Sequence, residues 1–127
     1  MGSIYAETRI NRPAADVWAD VRDVGSVTKV LDIVRASSAE GDVRSCTMAS
    51  GNELTERILS IDDDNLRVGY MVIDGLPVEQ HAASMQVFPD GDSACTLRWI
   101  TDIKPDEMAE QLAPMLQTSL DNYAGRG

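Results

Sequence analysis

The sequence predicts an α+β domain, built from one strand, an early helix, a long antiparallel meander and a closing helix. Three observations carry this. Ile4, Ala6, Thr8 and Ile10 alternate with Tyr5, Glu7 and Arg9, the period of a strand. Turn-forming clusters then punctuate the middle of the chain at Glu40-Gly41-Asp42, Gly51-Asn52, Asp62-Asp63-Asp64-Asn65, Asp74-Gly75-Leu76-Pro77 and Pro89-Asp90-Gly91-Asp92, leaving pieces of strand length between them. Near the end, Met108, Leu112, Met115, Leu116, Ser119 and Tyr123 recur at helical spacing.

Each element follows from local chemistry. Asn11-Arg12-Pro13 opens the first helix, with Asn11 or Arg12 at the cap and Pro13 in the first turn, where a missing N–H does no harm. Ala14, Val17, Trp18 and Val21 form its apolar stripe and Asp16, Asp20 and Asp23 its wet face; it should end near Gly25, with a short helical piece over 26–31. In the meander, Leu66, Val68, Tyr70 and Val72 share one strand face, as do His81, Ala83, Met85 and Val87, and Cys95, Leu97, Trp99 and Thr101. Pro105-Asp106-Glu107 supplies an acidic first turn for the last helix. Pro114 inside it should remove a hydrogen bond and kink the axis, and Gly125 should end it.

Composition narrows the function classes. The 127 residues read as a single domain over 1–127, long enough to build a core without a metal or disulfide staple. A formal charge of −10 argues against nucleic acid and against an anionic membrane surface, both of which select clustered Lys and Arg. Cys46, Cys95 and the lone His81 make no zinc-ligand set, so no metal is expected, and both cysteines read as buried reduced thiols. The start of the chain has no basic, apolar signal pattern, and no apolar run approaches the length that spans a bilayer; the expectation is a cytoplasmic protein. Asp62-Asp63-Asp64-Asn65 lacks the spacing of a calcium loop, no G-x-S-x-G elbow is present, and no glycine loop is placed to cradle phosphate. Oligomeric state is left open, a homodimer included.

Several segments together resemble a known family. The run Asn11 to Trp18 opening a helix, the block Glu56-Arg57-Ile58-Leu59-Ser60-Ile61-Asp62-Asp63, and then Val68-Gly69-Tyr70, Asp74-Gly75-Leu76-Pro77-Val78 and Leu97-Arg98-Trp99 are similar to motifs of the START-like helix-grip superfamily. That group includes bacterial polyketide cyclase/dehydrase and lipid-transport proteins and the plant abscisic-acid receptors. The likeness runs from Ile4 to about Tyr123. It implies a curved antiparallel sheet wrapped around the long C-terminal helix, with a cavity left between them.

On that resemblance the cavity lining would include Met48, then Ala83, Met85, Leu97 and Trp99 from the strands, and Met108, Leu112 and Met115 from the closing helix, with Glu56, His81 and Tyr70 as its candidate catalytic groups. Glu56 alternates with Leu54 and Ile58, which gives it a shared, semi-buried face and a role as acid/base group or anchor; the competing reading turns it to solvent, paired with an Arg across the strand. His81 replaces a Tyr common at that point of the family and lies beside the Leu76-Pro77 turn, which resembles a loop flanking the cavity mouth; it would shuttle a proton, orient a ligand carbonyl, or simply bond to backbone. Tyr70 offers a polar tip on an apolar body, for the pocket or for the core. Arg98 and Asp102 read as a solvent-side pair, and Lys29, which roughly corresponds to a carboxylate-binding lysine of the receptor branch, reads as a surface residue.

The expected function is enclosure of a small hydrophobic or amphipathic molecule, aromatic or polyketide-like. The alternative is a cofactor-free cyclase, dehydratase or isomerase, in which positioning plus acid/base help from Glu56, His81 and Tyr70 suffices.

Overall fold

The computed structural model describes residues 2–126. Seven strands form one antiparallel sheet: β1 (Gly2–Ile10), β2 (Val34–Glu40), β3 (Val43–Met48), β4 (Glu53–Asp62), β5 (Arg67–Asp74), β6 (Gln80–Asp90) and β7 (Ala94–Lys104). Their spatial order is β1-β7-β6-β5-β4-β3-β2. The strands from β2 to β7 are a continuous meander, and β1 returns to pair with β7 from Gly2↔Ile103 to Ile10↔Cys95. The chain crosses from the β1 edge to the β2 edge through α1 (Ala14–Arg22) and a 3-10 segment (Val24–Lys29), and closes with α2 (Glu107–Gly125).

One face of the sheet is covered and the other is wet, which is why the strands alternate so cleanly; in β7 every second residue from Cys95 to Ile103 is buried. Along that covered face, α1 lies over β5, β6 and β7, while α2 packs on β1 and β7. In α1 the predicted Val17, Trp18 and Val21 are buried; in α2 the predicted Leu116, Ser119 and Tyr123 are buried together with Ala109 and Leu120, which the predicted stripe lacked, whereas its Met108 and Leu112 are half-buried and its Met115 is exposed. Polar latches fix α2. Tyr123 Oη donates to Asp20 Oδ2 at 2.7 Å and accepts from Arg12 at 2.9 Å, and Ser119 Oγ donates to Asp32 at 2.9 Å.

The sheet bends at β4, where the register with β5 shifts between Thr55 and Glu56 and again between Ile58 and Ser60. The β5–β6 ladder stops at Tyr70↔Ala83, whereas β6 stays paired with β7 as far as Gln80↔Lys104. β5 and β6 therefore splay at one end, and that end is where the sheet and α2 fail to meet.

Some boundaries differ from expectation. Pro13 is the cap itself, extended at ψ 143°, and its carbonyl receives the Asp16 and Val17 amides; Asn11 is occupied as an acceptor for Arg9. The first helix ends at Arg22 rather than near Gly25, because Asp23 leaves helical geometry at ψ 73°, and the following turn is 3-10 from Val24. Leu66 belongs to the turn, at φ 54°, so β5 starts at Arg67. α2 runs unbroken through Pro114. Pro114 and Glu110 both lie on the exposed side of α2, where a carbonyl that the proline cannot serve is least costly.

Candidate functional site

At the splayed end, a cavity of about 230 Å³ lies between the bent sheet, the segment after the 3-10 turn, and α2. Its walls are largely apolar: Val27, Leu31, Ile33 and Val34 on one side, Met48, Leu54 and Val72 from the strands, and Leu112, Met115 and Leu116 from α2. Gly75 makes the rim possible. At φ 102° a side chain there would collide with the Glu53 carbonyl oxygen, and this close approach brings Leu76 onto the cavity mouth. Met115, 43% exposed, stands at the same mouth.

The polar floor is built by sheet register. Arg44 on β3 faces Glu56 on β4, and Arg44 Nε donates to Glu56 Oε1 at 2.8 Å with both side chains buried. Cys46 Sγ reaches the same oxygen at 3.4 Å. Among the described residues no hydrogen bond falls on Glu56 Oε2. The Arg44 guanidinium lies 4.8 Å from the centre of the Tyr70 ring, and Tyr70 Oη accepts from Trp99 Nε1 at 2.9 Å. Its ring meets His81 at 5.8 Å between centroids. His81 fills the splay: its Nδ1 accepts the Val72 amide at 3.0 Å, replacing the ladder bond that β6 no longer makes. An Nδ1 used as acceptor carries no proton, so in the neutral ring Nε2 is the donor.

Electrostatics follow burial. Burial pushes His81 below its usual value and so favours the neutral ring, outweighing the Glu56 charge, which acts in the opposite direction. Burial and then Glu56 push the Cys46 thiol up to about 12, so Cys46 is an inert thiol rather than a nucleophile. Burial, with Glu56 again second, raises Tyr70, which removes phenolate chemistry near neutrality. Thr101, on β7 beside Trp99, lines the cavity with an Oγ1 that is buried without a hydrogen-bond partner.

Of the residues singled out from sequence, Glu56, His81, Tyr70, Met48, Trp99, Leu112 and Met115 line this one cavity. Ala83, Met85, Leu97 and Met108 do not. Ala83, Met85 and Leu97 lie on the expected sheet face but are packed in the core, Leu97 fully buried, and Met85 closes a small crevice with Asp20 and Val21 of α1. Parity chooses the face of a strand; only the covering helix decides which stretch of that face is filled. Met108 is half-buried against the core in the first turn of α2. Lys29 is exposed and paired with Asp23 at 2.9 Å, away from the cavity lining. Arg98 and Asp102 do face outward, but each is tied to β1 rather than to the other, through Glu7 and Ser3. Sequence reasoning passed over a good part of the lining, Arg44, Thr101, Ser50 and Asn52 among its polar groups and Leu31, Val72 and Leu116 among its apolar ones. Arg44 alternates with Cys46 and Met48, a signal that it shares their inward face.

A family model described as polyketide cyclase/dehydrase and lipid transport matches residues 1–126. The chain belongs to that family. No curated protein matches its sequence significantly. Among solved structures, this polyketide cyclase/dehydrase family member is similar to the protein XoxI from Bacillus cereus, at 18% identity and TM-score 0.91, covering 99% of this chain and 95% of that one. It is also similar to a START superfamily protein from Mycobacterium smegmatis, at 10% identity and TM-score 0.78, covering 99% of each chain. Norcoclaurine synthase from Thalictrum flavum, solved with dopamine and hydroxybenzaldehyde, matches at 19% identity and TM-score 0.71, over 97% of this chain and 84% of that one. These likenesses establish the helix-grip fold of the family member. Among its described residues no helix is long and apolar enough to cross a membrane.

Proposed function

We propose that the protein encloses a small hydrophobic or amphipathic molecule, aromatic or polyketide-like, in the cavity between its sheet and α2. The observation that carries this reading is the shape and chemistry of that space: about 230 Å³ with walls that are mostly apolar and a minority of polar groups, the Arg44–Glu56 pair among them. Apolar walls supply affinity by removing ligand surface from water, and a few fixed polar groups supply orientation. The volume suits a molecule of one or two rings. Met48 and Met115 let the walls adjust to its outline. The test is native mass spectrometry of the protein as purified from cells, with Leu112→Trp beside it. A retained small molecule lost in the variant supports the reading; thermal-shift screening of ring ketones and phenols in which no compound stabilises the wild type would sink it.

A second reading is catalytic, and one specific arrangement favours it: Glu56, His81 and Tyr70 line a single space. With a β-dicarbonyl substrate, Glu56 Oε2 would take a proton from the carbon between the carbonyls while His81 Nε2–H donates to the oxygen that gains charge. The enolate so formed would add to a second carbonyl of the same substrate, and the resulting alkoxide would take the proton back from Glu56, closing a ring by aldol addition with no cofactor. Turnover of such a substrate that is unchanged in Glu56→Gln and His81→Gln would remove this reading.

A further inference from the structure

Thr101 is 3% exposed, stands in the middle of β7, and its hydroxyl is the one side-chain oxygen or nitrogen among the described residues that is itself wholly shut off from solvent and makes no hydrogen bond. A strand interior offers such a hydroxyl no local acceptor, since the neighbouring carbonyls are committed to the ladders with β1 and β6. Its nearest polar neighbour by register is His81: Thr101 sits opposite Ala83 and His81 opposite Ile103, so the two are diagonal partners on the covered face of β6 and β7. Both line the cavity. His81 has its own uncommitted polar atom, Nε2, because Nδ1 is held by the Val72 amide.

We infer that Thr101 Oγ1 and His81 Nε2 form a two-donor clamp for a single neutral oxygen acceptor, a ketone or quinone-type carbonyl, on the molecule the cavity encloses. This rests on the proposed ligand-binding reading and names the chemistry that the site selects. The backbones of diagonal strand neighbours are roughly 7–8 Å apart, close enough for an aromatic side chain to reach across, and an oxygen that accepts two ordinary hydrogen bonds links donors about 5–6 Å apart. A carbonyl oxygen has two lone pairs and takes both donors. A carboxylate is disfavoured, because the cationic group of the floor, Arg44, is already engaged by Glu56 at 2.8 Å, and an added anion would meet that carboxylate in a desolvated space. A hydrocarbon of the same shape leaves both donors without an acceptor once it covers them, and this is what makes the clamp selective.

The test compares α-tetralone with tetralin, which share a two-ring carbon skeleton and differ at the carbonyl. Wild type should bind the ketone about tenfold more tightly or better. The infrared carbonyl stretch of bound α-tetralone should move to lower frequency than in an apolar solvent. In Thr101→Val, which keeps the shape of the side chain, the preference for the ketone should collapse while tetralin binds at least as well, and the unliganded variant should melt no lower than wild type. Thr101→Ser should retain the preference. A merely structural role for Thr101 would instead lower the melting temperature of the valine variant and leave the preference in place. If wild type binds both compounds equally, or the carbonyl stretch of the bound ketone does not move, the clamp is wrong and the cavity reading stands. If neither compound binds, both are wrong.

Discussion

Arg44 and Glu56 form a buried ion pair, Nε to Oε1 at 2.8 Å, beneath the face of Tyr70 and at the floor of the cavity. The pair sits where β3 and β4 run in register, and its Arg44 end also reaches the Val24 carbonyl at 3.2 Å, tying the 3-10 segment to the sheet. It therefore sets both the charge of the site and the position of one wall.

Breaking the pair from one side leaves the other charge buried without a partner. Glu56→Gln and Arg44→Met should each destabilise the fold by about 3–5 kcal/mol. The double variant Arg44→Met with Glu56→Leu should recover most of that loss, because no orphan charge remains. Urea unfolding of the three variants decides the matter; additive losses in the double variant would show that the two residues act independently.

His81 makes stability depend on pH. Burial lowers its folded value below the ordinary 6.5, so above 6.5 the ring is neutral in both states and its contribution is complete. As pH falls below that point the unfolded chain binds a proton first, and the contribution is lost until the folded ring titrates as well. Protonating Nδ1 also breaks its bond from the Val72 amide. Unfolding free energy measured from about pH 7.5 to pH 5.5 should decline in wild type and flatten in His81→Gln, whose carboxamide cannot titrate. A variant as steep as wild type would assign the slope to other groups.

Both cysteines should be silent toward thiol reagents. Cys46 and Cys95 are buried, with Cys46 pushed up to about 12 and Cys95 raised by burial as well. Ellman's reagent should release no colour from native protein and two equivalents after unfolding in urea, matching the two cysteines of the chain. Rapid native labelling of Cys46 would mean that the Arg44–Glu56 floor opens to solvent.

Two tryptophan substitutions should separate cavity from core. Leu112 lines open space, so Leu112→Trp fills it and should abolish binding of α-tetralone with little loss of stability. Met85, 5% exposed, packs in the core beside α1, so Met85→Trp overfills it and should cost about 1–3 kcal/mol. Thermal melts with and without the ketone read both effects; equal destabilisation by the two variants would move the boundary of the cavity.

By itself the sequence determined the local periods and the punctuation. Alternation in β1, β5, β6 and β7, the apolar stripes of α1 and α2, and the turns at Gly41, Gly75 and Gly91 are properties of neighbouring residues, and the resemblance to the helix-grip superfamily ordered them into one sheet. It also placed Glu56, His81 and Tyr70 on the covered face. Tertiary structure decided how those groups are used. Both readings of Glu56 were half true: it is buried, and it is paired with an arginine across the strand, which depends on the β3–β4 register. The role of His81 depends on β5 and β6 parting after Tyr70, and the isolation of Thr101 on what every other strand fails to offer it. Which apolar residues face the cavity and which are packed solid, as Trp99 against Leu97, depends on where α1 and α2 lie along the strands. Period is local and legible in one chain segment; register, splay and helix placement arise from contacts between distant segments, and those exist only once the sheet has closed over its helix.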